Sequence, residues 1–469
     1  MQKNNKALIG NAENPCRIAI IGAGPAGFYA AGHLFKQKEQ TVQIDMFDKL
    51  PVPYGLVRSG VAPDHQKIKN VTRVYAKIAK QQGFRFFGNV EYGKHIHLED
   101  LSSHYHQVYF STGAQVDRKL NVPGEDLHRS YSATDFVAWY NGHPDYRDLQ
   151  FDLSKHCVAV VGVGNVAVDV CRILCRTIDE LKKTDIADYA LDALAESRVR
   201  EVYMLGRRGP AQAAFTHPEA KELGELPGAE IHVPEPEAQL DPSSKAWMES
   251  HRDRLTTRKV ELIQTFAKKV DSKKPRRLIL RFLVSPEVLH DDGAGGVGSL
   301  TLRKNTLVEQ RGRLSPKPTE ITENLPAEVV FRSVGYRGVP LPGLPFRDDW
   351  AVIPNEHGRV TGDRVSVGVY VGGWIKRGPT GVIGTNKPDA LETIQRMLED
   401  IKTGLCFNPE YKDPESVNHM LADRCETVFH WSDWEKLDHL ETDAGMKQGR
   451  PRIKFVSTES MLQALDRER

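Results

Sequence analysis

Two short apolar strands in this 469-residue chain each run into a glycine turn and then a helix. That repeated unit constrains the architecture more than any other feature. In the first, residues 17–21 form a short, mainly apolar strand and Ile20-Ile21-Gly22-Ala23-Gly24-Pro25-Ala26-Gly27 supplies the turn. Residues 26–36 then read as a helix and 41–47 as the next strand. In the second, the strand is 157–161, the turn is Val160-Val161-Gly162-Val163-Gly164-Asn165-Val166-Ala167, the helix runs from 166 to about 177, and 201–205 is the following strand. A β-α-β unit with this spacing is the dinucleotide fingerprint. The first glycine permits the tight turn, the second lets the backbone approach a pyrophosphate, and the third small residue lets helix and sheet pack closely. The helix start offers unpaired N–H groups to the phosphates. The expected fold class is therefore α/β, with two doubly wound Rossmann-like units.

The residues beyond each turn bear on the choice of nucleotide. Asp48 closes the strand after the first turn, 21 residues past Gly27, near the spacing at which a carboxylate meets a ribose hydroxyl. That leaves FAD and NAD both open for the first unit. The second unit instead carries Leu205-Gly206-Arg207-Arg208-Gly209-Pro210 at the end of its strand. Paired guanidinium forks suit a 2′-phosphate and keep their charge, which favours NADPH over NADH. The 40 residues from Ala167 to Arg207 are about twice the usual interval, and a charged helical insert at 178–197 accounts for the excess.

The rest of the chain narrows the class. At roughly 100–200 residues per domain, two or three domains are expected. A net charge of +2 is too small to point to nucleic acid, and no apolar run reaches the roughly 20 residues of a membrane span. Residues 1–15 are polar, lack the features of a secretory or transit peptide, and read as a disordered extension of a cytoplasmic protein. Six cysteines, Cys16, Cys157, Cys171, Cys175, Cys406 and Cys425, contain no Cys-x-x-Cys pair. A dithiol centre or a cysteine-held cluster is thus disfavoured, and a bound organic cofactor must carry the redox work. Strands are expected at 108–112, 278–284, 299–302, 328–334 and 367–372, with a helix at 388–402. Residues 234–275 give no clear signal, and the last 60 or so read as irregular. Basic groups gather at Arg252, Arg254, Arg258 and Lys259, and at Lys268, Lys269, Lys273, Lys274, Arg276 and Arg277. They read either as a plain solvated face or as a field that steers an acidic partner.

Several longer tracts resemble adrenodoxin-reductase-type ferredoxin–NADP reductases. They are Tyr54-Gly55-Leu56-Val57-Arg58-Ser59-Gly60-Val61-Ala62-Pro63-Asp64-His65, Gly164-Asn165-Val166-Ala167-Val168-Asp169-Val170, the Gly206–Pro210 stretch, Trp374-Ile375-Lys376-Arg377-Gly378-Pro379-Thr380-Gly381-Val382-Ile383, and Ser432-Asp433-Trp434-Glu435-Lys436-Leu437-Asp438. The resemblance implies a discontinuous FAD domain, 16–112 with 334–469, and an NADP domain inserted at 113–333. It sets Gly22, Gly24, Ala26, Gly27, Asp48, Leu56, Tyr92, Trp374, Gly381, Val382 and Ile383 against FAD. It sets Val163, Gly164, Asn165, Val166, Arg207, Arg208, Glu219 and Gly381 against NADP(H). Gly381 suits a close approach of two flat rings because it has no Cβ. Two departures stand out: Asp48 is shorter than the family's glutamate, and Pro218 beside Glu219 is expected to disturb the local helix. The implied activity is hydride transfer from NADPH to FAD, then single electrons to an acidic ferredoxin-like or flavodoxin-like protein, or the reverse. His65 and Asp169 are the candidates for proton handling, with a plain cap or core hydrogen bond as the alternative. An FAD/NADPH monooxygenase and an electron-input subunit of a larger flavoenzyme remain open.

Overall fold

The computed structural model describes residues 9–251, 253–268, 274–362 and 367–467. Two parallel sheets organise it. The first has seven strands in the order Asn355–Glu356, Arg359–Val360, Val369–Val371, Gln107–Phe110, Cys16–Ile21, Val42–Asp48, Phe84–Gly88. From Val369–Val371 onward its pairs are parallel. The second has six strands, all parallel: Ser130–Ser132, Val329–Arg332, Cys157–Val161, Glu201–Gly206, Arg276–Phe282, Ala229–His232. In each sheet the strand before the glycine turn lies where the order reverses. That topological switch point is where open α/β sheets bind ligands.

Every residue of Cys16–Ile21 and of Cys157–Val161 is buried, which explains why both read as continuous apolar runs rather than alternating ones. Alternate residues of the first sheet enter two separate cores. Ile18, Ile20, Ile44, Met46 and Tyr109 face one, and Ala19, Ile21, Phe47, Val108 and Phe110 face the other. The second sheet is covered differently on its two faces. Val158, Val160, Val202 and Met204 pack into a core with the helices. Cys157, Ala159, Val161 and Leu205 meet Leu289, Leu300, Leu302 and Leu325, which belong to a three-stranded antiparallel sheet of Val284–Asp291, Val297–Gln310 and Arg313–Leu325.

Of the two added strands expected, the one at 278–284 is Arg276–Phe282 of the parallel sheet, and the one at 299–302 is part of this three-stranded sheet. Arg313–Leu325 escapes a sequence reading because it carries Pro316 and Pro318. It is an edge strand, where a missing N–H costs no ladder bond. The unreadable stretch after 234 holds helices Glu235–Ala238, Pro242–His251 and Arg254–Ala267. The insert at 178–197 is two short helices, Ile178–Leu181 and Asp188–Ala195. The C-terminal residues are not irregular: Glu415–Ala422, Trp431–Lys447 and Thr458–Arg467 are helices. The long one starts with a capping box in which the Asp433 carboxylate accepts the His430 N–H at 2.9 Å. Histidine in the serine or threonine position hides that signal. Of the expected N-terminal disorder, residues 1–8 lie outside the described residues. From Ile9 onward the expectation fails, because the Gly10 N–H reaches the Asn14 carbonyl, the Thr41 N–H reaches Gly10, and Ile9 packs on the core. No helix among the described residues is long and apolar enough to cross a membrane.

Buried charge joins the two halves. Lys69 Nζ holds both oxygens of Asp185 at 2.7 and 2.8 Å, and Lys454 Nζ lies 3.6 Å from the same carboxylate. Burial alone would raise the Asp185 carboxyl, but Lys454 and Lys69 hold it down to about 2. Glu441 takes Arg58 at 2.5 and 2.8 Å and Arg452 at 2.9 Å. Residues from the first sheet's loops, the 184–188 turn and the C-terminal segment are thereby fixed relative to one another.

Candidate functional site

The first glycine turn is shaped as expected. Gly22 has φ +107, and a Cβ there would lie 2.6 Å from the Ser111 carbonyl oxygen. A Cβ on Gly27 would run into the Gly22 carbonyl. Gly24 is different: nothing lies within 4 Å of where its Cβ would stand. It is the N-cap of Pro25–Lys36, and no side chain caps that helix. Free N–H groups therefore face open space, which fits a pyrophosphate. Just past the end of the adjacent strand the hydroxyl of Thr112 is buried without a partner among the described residues, a second group that fits a bound polar ligand. Asp48 accepts the Ala23 N–H at 2.7 Å and the Leu50 N–H at 2.9 Å. Burial raises its carboxyl, against those two donors. It thus ties the turn to the neighbouring strand, and each oxygen keeps lone-pair capacity for a ribose hydroxyl.

The Tyr54–His65 tract packs directly on this turn. Tyr54 has φ 90 and donates its N–H to Ala23 at 2.8 Å, and its hydroxyl accepts the Trp434 indole N–H at 3.3 Å. Gly55, at φ +48, would place a Cβ 3.1 Å from Gly24 Cα. Leu56, at the start of the short helix that follows, is exposed. The Tyr92 hydroxyl donates to the Pro342 carbonyl at 2.7 Å, so only its ring, edge-on to Phe110, is left for a ligand.

The C-terminal tract closes over the same place. Gly373, at φ +73, donates its N–H to Asp389 at 2.6 Å, and a Cβ there would stand 2.7 Å from the Ala26 methyl. The Trp374 indole N–H donates to the Thr380 carbonyl at 3.2 Å, and its ring lies 5.3 Å from that of Tyr336. Val382 is exposed and Ile383 packs on the core. Gly381 also has a local requirement: its φ is +78, and a Cβ there would lie 2.5 Å from the Thr385 side chain.

In the second unit Gly162 has φ +134, with its Cβ position blocked by the Ser333 carbonyl, while nothing surrounds that of Gly164. Gly164 is the N-cap of Asn165–Cys175, again without a side-chain cap. The Val163 carbonyl accepts N–H groups from Ala214 and Phe215 at 3.0 and 3.1 Å. Arg207 is exposed and Arg208 half-buried. Among the described residues neither guanidinium has an ion-pair or hydrogen-bond partner. Burial, then the neighbouring Arg207, lowers the pKa of Arg208. Two adjacent cations with no acid beside them fit a dianionic group. Glu219 accepts the Thr216 N–H at 2.5 Å in the capping box of His217–Gly224. Pro218 sits in the first turn, where its missing N–H costs nothing, so the expected disturbance of that helix does not occur.

A charged cluster, only partly foreseen, joins the end of the Tyr54–His65 tract to the helices Asn165–Cys175 and His217–Gly224. His65 Nε2 is 3.0 Å from Glu222, and Nδ1 is 3.8 Å from Asp169. Arg172 is fully buried and pairs with Asp64, with Asp169 at 2.8 Å and with Glu222 at 3.5 Å. Arg176 meets Asp64 at 2.7 Å. Burial pushes the Asp169 carboxyl up to about 6, against the pull of Arg172 and His65. The sequence reading named His65 and Asp169, which the fold brings within 3.8 Å of each other, but assigned nothing to Asp64, Arg172 or Glu222. The available signal was spacing: Asp169 with Arg172, and Glu219 with Glu222, fall three apart on one helix face.

Comparison with known proteins agrees with this geometry. A family profile described as pyridine nucleotide-disulphide oxidoreductase matches residues 16–207. NADPH-ferredoxin reductase FprA of Mycobacterium leprae (strain TN) is 43% identical, over 95% of this chain and 97% of its own. Mitochondrial NADPH:adrenodoxin oxidoreductase of Salvelinus fontinalis is 41% identical, over 95% and 90%. The solved structure of Mycobacterium tuberculosis FprA in complex with NADPH superposes with a TM-score of 0.91 at 42% identity, covering 96% of this chain and 100% of that one. The chain belongs to the adrenodoxin-reductase-type ferredoxin–NADP reductase family.

In this reductase the basic stretch after 252 is largely structural. Arg252, Lys269 and Lys273 lie outside the described residues. Lys259 is buried, with Nζ donating to the Ala213 carbonyl at 2.5 Å. Lys274 donates to Leu226 and Ala229, Arg276 to Val199 and Arg176, and Arg277 pairs with Glu201. Arg254, Arg258 and Lys268 remain exposed. Cys171 and Cys175 are buried on one helix and form no disulfide.

Proposed function

We propose that this chain is an NADPH-dependent flavoprotein reductase that delivers electrons to a ferredoxin-type acceptor. The observation that carries the reading is the pair of helix starts without a side-chain cap, each at the switch point of its own sheet, with an arginine pair beside the second that has no partner among the described residues. FAD would lie along the first turn, held by Gly22, Gly24, Ala26, Gly27 and Asp48, with Leu56, Tyr92, Trp374, Gly381, Val382 and Ile383 around it. NADPH would lie along Val163, Gly164, Asn165 and Val166, with Arg207 and Arg208 on the 2′-phosphate and Glu219 and Gly381 nearby. The contiguous sheet built from residues 16–110 and 355–371 supports an FAD domain of 16–112 with 334–469, and the other parallel sheet supports an NADP domain of 113–333.

Bound FAD supplies the conversion between hydride and single-electron transfer. The protein's part is positional and electrostatic. The helix starts and Arg207–Arg208 orient the pyridine nucleotide. The Gly373–Trp374 turn, pinned by Asp389, shapes the wall opposite Ala26. His65, with Glu222 on Nε2 and Asp169 beside Nδ1, is placed to hold or move a proton where the Tyr54–His65 tract meets the helices Asn165–Cys175 and His217–Gly224. The acceptor is an acidic ferredoxin-like or flavodoxin-like protein, and the buried thiols of Cys16, Cys157, Cys171, Cys175 and Cys425, which form no disulfide, agree with a cytoplasmic setting. The test is NADPH-dependent reduction of a panel of ferredoxins and flavodoxins with NADH and oxygen controls. Acceptor reduction with NADPH strongly preferred is expected. Oxygen uptake matched to NADPH, with a hydroxylated product, would refute the reading in favour of a monooxygenase.

A further inference from the structure

The loop carrying Arg207 and Arg208 is held from outside the parallel sheet. Arg276–Phe282 runs beside Glu201–Gly206, with Phe282 opposite Gly206. The next residue, Leu283, has φ +57, a left-handed conformation that bulky side chains rarely adopt and that points to a local constraint. It turns the chain out of the parallel sheet into Val284–Asp291. At that corner the Leu283 N–H donates to the Arg208 carbonyl at 3.2 Å. The Leu283 carbonyl in turn accepts the Asn305 N–H at 2.7 Å. Asn305 is buried and sits at the register break of the long hairpin. Its Nδ2 donates to the Arg207 carbonyl at 3.0 Å and to the Ser285 hydroxyl at 2.9 Å.

Both backbone carbonyls of the arginine pair are therefore taken, one by Asn305 of the three-stranded sheet and one by Leu283 at the corner leading into it, while both guanidiniums stay without partners among the described residues. Two adjacent like charges repel, and a loop left to itself would swing them apart into water. A loop whose carbonyls are fixed holds them together before any ligand arrives, which lowers the ordering cost of binding. We propose that Asn305 is a positioning residue for NADPH selection, acting with the Leu283 N–H to hold Arg207 and Arg208 in register for the 2′-phosphate. The inference rests on the reading of that arginine pair given above. It assigns a role in nucleotide choice to a sheet that otherwise only covers the core. The adenosine and pyrophosphate parts would lie against the Gly162–Val166 turn, which is tied to residues 214–215 through the Val163 carbonyl.

Calorimetric titration of the FAD-loaded protein with 2′,5′-ADP and with 5′-AMP separates the two contributions. Asn305→Leu should weaken 2′,5′-ADP about tenfold, the scale of one lost positioning hydrogen bond, and 5′-AMP by less than about twofold. In turnover, KM for NADPH should rise with kcat nearly constant. Asn305→Ser, too short to reach Arg207 directly, provides the same comparison if the leucine variant folds poorly. Equal weakening of both probes, or of neither, overturns the proposal. The double variant Arg207→Gln/Arg208→Gln distinguishes the two levels. If it keeps the preference for 2′,5′-ADP, the arginine reading fails and the inference falls with it. If it loses the preference while both Asn305 variants keep it, the inference alone fails.

Discussion

Asp169 is retained at a cost in stability, and that cost should be measurable. Its carboxyl is buried between His65 and Arg172 and is pushed up to about 6 from 3.8. The sign follows from linkage. An acid whose folded pKa lies above its unfolded one is penalised wherever it is ionised, fully above pH 6 and decreasingly as pH falls through 6 toward 3.8. A shift of about two units at roughly 1.4 kcal/mol per unit puts the penalty near 3 kcal/mol at pH 8. By pH 5 the folded carboxyl is mostly protonated, and about 1.5 kcal/mol remains. Asp169→Asn keeps an oxygen for Arg172 and removes the ionisation. The stability difference between variant and parent, from urea unfolding with FAD present, should therefore shift in the variant's favour by about 1.5 kcal/mol between pH 5 and pH 8. The same substitution should slow flavin reduction by NADPH, since a group kept at such cost on the helix that follows the second glycine turn is a functional-site candidate. A pH-independent stability difference would refute the burial argument for Asp169.

Three further outcomes are expected. Gly24→Ala adds a methyl where nothing stands within 4 Å, so the protein should fold and melt as before but purify with little flavin, read from its visible absorbance. Lys259 is pushed down to about 8, first by burial and then by Arg208, against Asp253 and Glu219. Its charge beside the arginine loop is present below pH 8 and lost above it, so KM for NADPH should climb severalfold from pH 7 to 9, and Lys259→Met should flatten that climb. His65→Gln keeps a side chain able to reach Glu222 but cannot carry a proton near neutrality. Stopped-flow flavin reduction should slow, and an unchanged rate would remove His65 from proton handling.

What the sequence made legible follows from where the physics is local. Both glycine turns were readable because a tight turn, a close approach and a helix start each demand a small residue at a fixed spacing, and Gly22, Gly27 and Gly162 meet those demands within a few residues of chain. The charged cluster was not, because its members come from distant segments. Nothing local ties Asp64 to Arg172, 108 residues away, or His65 to Glu222, 157 residues away. The C-terminal helices were obscured by a histidine-started capping box, and the hairpin by two prolines tolerable only on an edge strand. The basic run misled for a related reason. Lys259, Lys274 and Arg276 reach backbone carbonyls with long side chains, so a cluster of charges in sequence became a set of internal braces. Chemistry that touches the nucleotide phosphates is thus written in short motifs. The machinery that holds those motifs in place, Asp389 under Gly373, Asn305 behind Arg207 and Arg172 between three carboxylates, appears only once the two sheets are assembled.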